Sequence, residues 1–286
     1  MLQRIKHYLS LIKFSHTIFA LPFAAIGFTL AITQDNFTFS IALALKVVLC
    51  MVFARSAAMA FNRWADRHFD AKNPRTAIRE IPAGMISANS ALFFVVVNCV
   101  AFIITTYTIN SACFYLSPIA LAVVLGYSYT KRFTSLCHLI LGLGLSLAPI
   151  GAWVAVTGKF ALLPLLFSFA VLCWVSGFDI IYALQDEDFD RSQDLYSIPR
   201  VFGTVRSLTL SNNLHIATSV FLLAAGISGN FNWIYYVGWI IFTSLLIYQH
   251  TLVKPNDLSK VNIAFATTNG IASVVFSIFV ITSRLI

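Results

Sequence analysis

Long apolar runs alternate with short polar connectors along the whole chain. Nine runs, at about 15–34, 39–61, 88–108, 111–130, 135–157, 160–185, 208–227, 232–250 and 263–283, are long enough to cross a bilayer, which takes ~20 residues of helix. Their apolar residues are continuous rather than alternating, so the runs predict helices and not the strands of a barrel. Two connectors are long, 62–87 and 186–207, and both fall on the same side of the expected membrane; those on the opposite side are only a few residues. The pattern therefore predicts an all-α, polytopic membrane protein, with about nine transmembrane helices around a central cavity and a single domain over 1–286.

Composition supports that reading, and charge adds an orientation. Of 286 residues 59% are hydrophobic and 10% charged, and the mean hydropathy is +0.83. That is too little charge to cover a soluble domain. Fifteen Lys and Arg lie on the N-terminal segment and on the connectors after the second, fourth, sixth and eighth runs. Only Lys159 and Arg284 lie on the other side, while Lys46 and Arg55 fall inside the second run. The positive-inside rule then places the N-terminus and both long connectors in the cytoplasm and the C-terminus outside. The net charge of +8 is accounted for by topology and implies no nucleic-acid partner. Five cysteines stand singly in apolar runs, without a CxxC pair, and read as packing residues. The histidines do not cluster along the chain; His16 and His138 are candidates to line a cavity, but the set reads mainly as packing or interface residues.

The acids are concentrated. Asp66, Asp70 and Glu80 lie in the first long connector region, and Asp179, Asp186, Glu187, Asp188, Asp190 and Asp194 in the second; Asp35 and Asp257 are the remaining two. Arg55, Asn62, Asp66 and Asp70 are spaced 7, 4 and 4 apart, which lines one face of a helix and its cytoplasmic end. Asp179, Asp186 and Asp190, spaced 7 and 4 with Tyr182 nearby, predict a second such face. Each motif precedes an Ile-Pro pair, and the two (62–84 and 179–203) suggest a parallel internal repeat. Arg55 and Asp179 lie within spans, where a charge is costly and marks a polar cavity or a partner. Two carboxylate pairs meeting across a cavity repel unless cations lie between them, and Mg²⁺ with its oxygen ligands suits the role. Lys131 and Arg132, at the cytoplasmic end of the fourth span, are placed to bind the same phosphates. Solvated ion pairs with neighbouring arginines are the plainer reading of either cluster alone.

At these motifs the sequence resembles the UbiA superfamily of intramembrane prenyltransferases. The resembling segments are Asn62-Arg-Trp-Ala-Asp66-Arg-His-Phe-Asp70, the following Ala71-Lys-Asn-Pro-Arg-Thr76, Pro82-Ala-Gly84, Tyr127-Ser-Tyr-Thr-Lys131-Arg132 and Asp179-Ile-Ile-Tyr182-Ala-Leu-Gln-Asp186-Glu-Asp-Phe-Asp190. The resemblance implies that Asp66, Asp70, Asp186 and Asp190 hold Mg²⁺ against a polyprenyl diphosphate, with Asn62 assisting and Lys131 binding phosphate. It implies that Arg55 lies near the carboxylate of an aromatic acid acceptor and that Asp179 and Tyr182 line the cavity. The implied reaction is electrophilic aromatic substitution at a carbon ortho to a phenol, in the bilayer of a bacterial inner membrane. The run from Arg55 to Asn62 and the Asn-Pro-Arg-Thr-Ala continuation look most like the 4-hydroxybenzoate group, in respiratory quinone biosynthesis. A branch using a dihydroxynaphthoate, in an alternative menaquinone route, shares these motifs. A secondary transporter is the competing class, but its binding acids would sit near the midplane on broken helices rather than at cytoplasmic helix ends.

Overall fold

The computed structural model describes residues 2–13, 20–34 and 37–286; His16, Asp35 and the first five residues of the 15–34 span lie outside the described residues. The helices are α1 (Leu2–Leu11), α2 (Leu21–Ile32), α3 (Ile41–Asp70), α4 (Ala88–Tyr107), α5 (Ser111–Thr130), α6 (Cys137–Thr157), α7 (Leu162–Ala183), α8 (Glu187–Ser192), α9 (Ile198–Ser228), α10 (Trp233–Leu252) and α11 (Asn269–Leu285). Among the described residues there is no strand, and seven helical segments are long and apolar enough to cross a membrane. The nine expected spans map onto those seven together with α10 and α2. The described part of the first span is shorter than expected: α2 has 12 residues, about 18 Å at the helical rise.

Side-chain caps set several of the helix starts. Ser40, Ser87, Asn110, Ser197 and Asn232 each accept a hydrogen bond from a backbone N–H in the first turn of the helix that follows, which satisfies donors that have no intrahelical partner. Lys46, isolated in sequence, donates from Nζ to the Thr108 carbonyl at the end of α4 (2.7 Å), the kind of capping contact expected of a lysine near the end of a span.

The helices are not equally buried. α7 runs through the interior, with Phe167, Trp174, Val175, Ile180 and Ile181 fully enclosed. Around it α2, α10 and α11 contribute Phe23, Tyr235, Phe242 and Phe276 to one aromatic core. Phe23 and Trp174 lie with ring centroids 5.3 Å apart, and Trp174 donates its indole N–H to Asn269 Oδ1 at 2.8 Å. By contrast α4 and α5 present Phe93, Ile104, Tyr107, Tyr115 and Ile119 outward, as helices bathed by lipid do. Two of the histidines meet, contrary to the sequence expectation: His215 Nδ1 lies 2.9 Å from His250 Nε2, joining α9 to α10.

Two long-connector expectations change. The helical face expected for Asn62–Asp70 is present, so the first connector begins only after Asp70: α3 runs 30 residues without a break, about 45 Å, against ~30 Å of hydrocarbon. No Gly or Pro interrupts it before Pro74. The second connector is also largely helical. α7 ends at Ala183, one 3₁₀ turn covers Leu184–Asp186, and α8 follows. α9 then starts at Ile198, with Pro199 in its first turn, and breaks at Gly203 (φ 76°, ψ 166°).

Candidate functional site

The site is built where the C-terminal end of α3 meets the C-terminal ends of α5 and α7. Asp66 and Asp70, one turn apart on α3, are both buried. Lys131, directly after the last residue of α5, reaches Asp66 Oδ2 at 2.8 Å, and Asn62 donates to the same oxygen at 3.2 Å. Arg132 donates to the Ala65 carbonyl (2.8 Å) and lies 3.7 Å from Asp66 Oδ1. Arg79 pairs with Asp70 Oδ1 at 2.7 Å. Thus the first motif and Lys131–Arg132, joined by sequence reasoning alone, do come together.

The second motif is placed differently. Its expected single helical face is broken in the middle, because over the three residues Leu184–Asp186 a 3₁₀ turn advances each side chain by about 120° instead of about 100°, and α8 starts afresh at Glu187. Asp186 is held by the loop that follows the first motif: Arg75 Nε donates to its Oδ1 at 3.1 Å and Asn73 Nδ2 to the same oxygen at 3.3 Å. Arg75 Nη1 also donates to the Tyr182 hydroxyl at 3.0 Å. Burial by itself lowers the pKa of the Arg75 guanidinium; the Asp186 carboxylate and the Tyr182 hydroxyl more than offset it and leave it raised. Asp190 is buried, with Ser197 and Lys131 beside it. Lys131 therefore stands between an acid of each motif, and its carbonyl accepts the Tyr196 N–H at 2.6 Å, pinning the end of α5 to the segment before α9.

Asp179, still on α7, pairs with a residue from α6. His138 Nδ1 lies 2.7 Å from Asp179 Oδ2. The two helices approach closely because Gly142, one turn along from His138, lies against α7: a Cβ there would stand 2.5 Å from the Leu172 carbonyl oxygen and 2.3 Å from Ser176 Oγ. Ser176 donates to the His138 carbonyl at 3.2 Å.

A cavity of about 310 Å³ lies between α3, α5 and α6, with Phe102 and Thr106 of α4 on its wall. Its lining is almost wholly apolar, with Arg55 and Tyr127 as the polar groups nearest the motifs. Along α3 the lining positions end at Met59, one turn before Asn62, and along α5 they end at Tyr127, one turn before Lys131. The cavity thus leads toward the acids. Tyr127 is half-buried, with Asp66, Asp179, Arg63 and Arg79 as its electrostatic neighbours. The Arg55 Nε is buried and donates to no partner.

The cations between the acids are here the protein's own: Lys131, Arg75 and Arg79. Among the described residues no three His, Cys, Asp or Glu side chains are grouped as a ready metal cage, so the four expected ligands do not converge by themselves. The donor set nonetheless fits a hard divalent cation. Asp66 Oδ1 and Asp70 Oδ2 are buried and accept no hydrogen bond, Asp66 Oδ1 having only Arg132 at 3.7 Å, and buried carboxylate oxygens without a hydrogen bond are costly until a cation meets them closely. Sequence reasoning missed Asn73, Arg75, Arg79 and His138. Asn73 and Arg75 sit in the Ala71–Thr76 run already singled out, and the charges of Arg75 and Arg79 had been counted toward topology.

The chain matches the profile of the UbiA prenyltransferase family over residues 20–274. It is 30% identical over 230 residues to a protein of Photobacterium profundum named 4-hydroxybenzoate octaprenyltransferase, covering 80% of this chain and 79% of that protein. It is 32% identical over 224 residues to one of the same name from Tolumonas auensis, covering 78% of each. In three dimensions it is similar to a UbiA homolog from Aeropyrum pernix K1, solved in its apo form, with TM-score 0.85 and 32% identity over 94% of this chain and 98% of that one. A UbiA homolog from Archaeoglobus fulgidus, bound to GPP and Mg²⁺, shares the fold at TM-score 0.76 and 19% identity, over 98% of this chain and 100% of that one. Motifs, fold and relatives agree: the chain belongs to the UbiA prenyltransferase family.

Proposed function

We propose that this integral membrane protein transfers a polyprenyl group from a prenyl diphosphate to 4-hydroxybenzoate, with Mg²⁺, in ubiquinone biosynthesis. We place it in a bacterial inner membrane with the motifs cytoplasmic and the C-terminus outside. The observation that carries this reading is the apolar cavity whose Arg55 and Tyr127 end stops about one helical turn short of Asn62 and of the Lys131–Asp66 pair. One end takes a hydrocarbon chain, and the other takes anions.

The residues divide the work. Lys131, Arg75 and Arg79 bind and orient the diphosphate; each already holds a carboxylate in its place. Asp66, Asp70, Asp186 and Asp190 would hold Mg²⁺, which when bound neutralises charge on the departing diphosphate. Arg55 pairs with the acceptor carboxylate through the donor it leaves free. Asp179 and Tyr182 face the acceptor's phenol end. The prenyl C1–O bond breaks with its electron pair going to diphosphate, and the ring carbon ortho to the hydroxyl bonds to C1. The phenol proton passes to Asp179. The ring proton is then lost and Asp179 returns its proton to the phenolate oxygen, so the phenol is restored and one proton is released per turnover. The apolar walls exclude water that would otherwise capture the allylic cation.

The test is prenyl transfer by membranes carrying the protein, with radiolabelled prenyl diphosphate, Mg²⁺ and either 4-hydroxybenzoate or 1,4-dihydroxy-6-naphthoate. EDTA-sensitive product with 4-hydroxybenzoate supports the reading. Product with the naphthoate alone replaces the acceptor, and no product with either overturns aromatic prenyl transfer.

A further inference from the structure

Among the acids of the two motifs, Asp179 keeps different company. Asp66, Asp70 and Asp186 are each paired with a Lys or an Arg, whereas Asp179 is paired with His138. The protonation of His138 follows from its other nitrogen. Nε2 lies 3.3 Å from the Ile198 backbone N–H, and a backbone N–H can only donate. Nε2 therefore presents its lone pair, the ring is neutral, and its proton is on Nδ1, donated to Asp179 Oδ2. His138 itself is enclosed, whereas the Asp179 side chain is 22% exposed. Among the described residues Asp179 Oδ1 accepts no hydrogen bond, and it is not sealed from the surroundings. One oxygen is tied and the other is open, and Tyr127 is among the groups within reach of the Asp179 charge.

We infer that His138 is a positioning residue for the acceptor step: its Nδ1–H fixes the Asp179 carboxylate so that Oδ1 faces the phenol. This rests on the prenyl-transfer reading above. The pairing has a chemical point. Arg or Lys would orient a carboxylate and also cancel its charge. A neutral imidazole orients it and leaves the dyad one negative charge with which to draw the phenol proton. His138 does not relay that proton onward, because Nε2 is occupied by the Ile198 N–H and the ring is enclosed. The same hydrogen bonds link α6, α7 and the first residue of α9, so the aim of Oδ1 is set by three helices.

The experiment compares wild type, His138→Leu, His138→Gln, Asp179→Asn and the double variant His138→Leu/Asp179→Asn, each as full-length protein in detergent. The readouts are kcat, KM for both substrates, and binding of inorganic pyrophosphate with Mg²⁺ by thermal shift. Gln supplies an N–H donor for Asp179 and a carbonyl for Ile198, so it tests the hydrogen bonds rather than the ring. His138→Leu is expected to lower kcat about a hundredfold, the lower range for a displaced general base. Its prenyl diphosphate KM and its pyrophosphate shift should stay within about twofold of wild type, His138→Gln should recover at least tenfold of the loss, and the double variant should be no slower than Asp179→Asn, as for residues acting as one unit. The inference is overturned by a His138→Leu kcat within twofold of wild type, by loss of pyrophosphate binding together with activity (a structural role), by no rescue in His138→Gln, or by additive losses in the double variant. Absence of product from the wild type itself would instead bring down the prenyl-transfer reading on which the inference rests.

Discussion

The two acidic motifs share a spacing of four residues and differ in nearly everything that holds them. In the first, Asp66 and Asp70 project from an uninterrupted helix, and the Asp66 carboxylate is 3% exposed. The partners of Asp66, Lys131 and Arg132, come from the end of another helix, while Asp70 takes Arg79 from the loop that follows it. In the second, the helix stops at Ala183 and restarts at Glu187, and Asp186 on the turn between them is 20% exposed. Its partners, Asn73 and Arg75, come from the loop that leaves the first motif. The first motif is positioned by secondary structure, the second by tertiary contacts that the first supplies. The dependence runs one way, and that can be tested.

The largest effect is expected at the first motif. Asp66→Ala removes a carboxylate proposed to hold Mg²⁺ and leaves Lys131 without its acid, and prenyl transfer should fall about a thousandfold, as when a preorganised electrostatic contact is lost. Asp186→Ala should cost less, about a hundredfold, and should also free the 71–87 loop. Limited trypsin digestion in detergent would then cleave after Lys72 or Arg75 sooner than in wild type. The asymmetry is refuted if Asp186→Ala is the slower enzyme, or if Asp66→Ala loosens the loop equally.

These contrasts also show what was legible in the sequence. The spans were, because continuous apolar runs have one reading in a membrane protein. The first motif was, because spacing converts to geometry only where the helix continues, and α3 does continue to Asp70. For the second motif the same arithmetic failed at a single 3₁₀ turn that no residue between Tyr182 and Asp190 announces. His138 was read as packing because its partner is 41 residues away on another helix, and no periodicity carries that information. Arg75 and Arg79 were hidden in plain view: a loop rich in Lys and Arg already had an explanation in membrane topology.

A smaller effect sharpens the comparison from the loop side. Arg75 is one-third exposed, and its pair with Asp186 is worth at most about 1 kcal/mol of stability by the measure of exposed ion pairs. Arg75→Ala should therefore leave the melting temperature nearly unchanged. It should raise the KM for prenyl diphosphate about tenfold, the equivalent of one charge-assisted hydrogen bond. Arg79→Ala, whose partner Asp70 is nearly enclosed, should lower the melting temperature measurably, because it strands a buried carboxylate. Equal melting temperatures for the two variants would refute the assigned difference in burial.

The smallest effect on chemistry is expected at Gly203. Its φ of 76° and ψ of 166° fall in a region that residues with a Cβ scarcely visit. The break matters because of what lies on either side. Before it, Ser197 caps the first turn of α9 and Ile198 donates to His138; after it, Thr204 donates to Glu187 Oε2 at 3.0 Å. A straight helix from Ile198 would have to give up one set of contacts or the other. Gly203→Ala should cost about 1–3 kcal/mol of stability, read as a lower melting temperature in detergent. Any loss of activity should appear in kcat with the acceptor, through the His138–Asp179 pair, and not in the KM for prenyl diphosphate, whose cations Lys131 and Arg79 are anchored on the first motif. A rise in that KM with the acceptor step intact would mean that the second motif supports the first, the reverse of the dependence seen in the contacts.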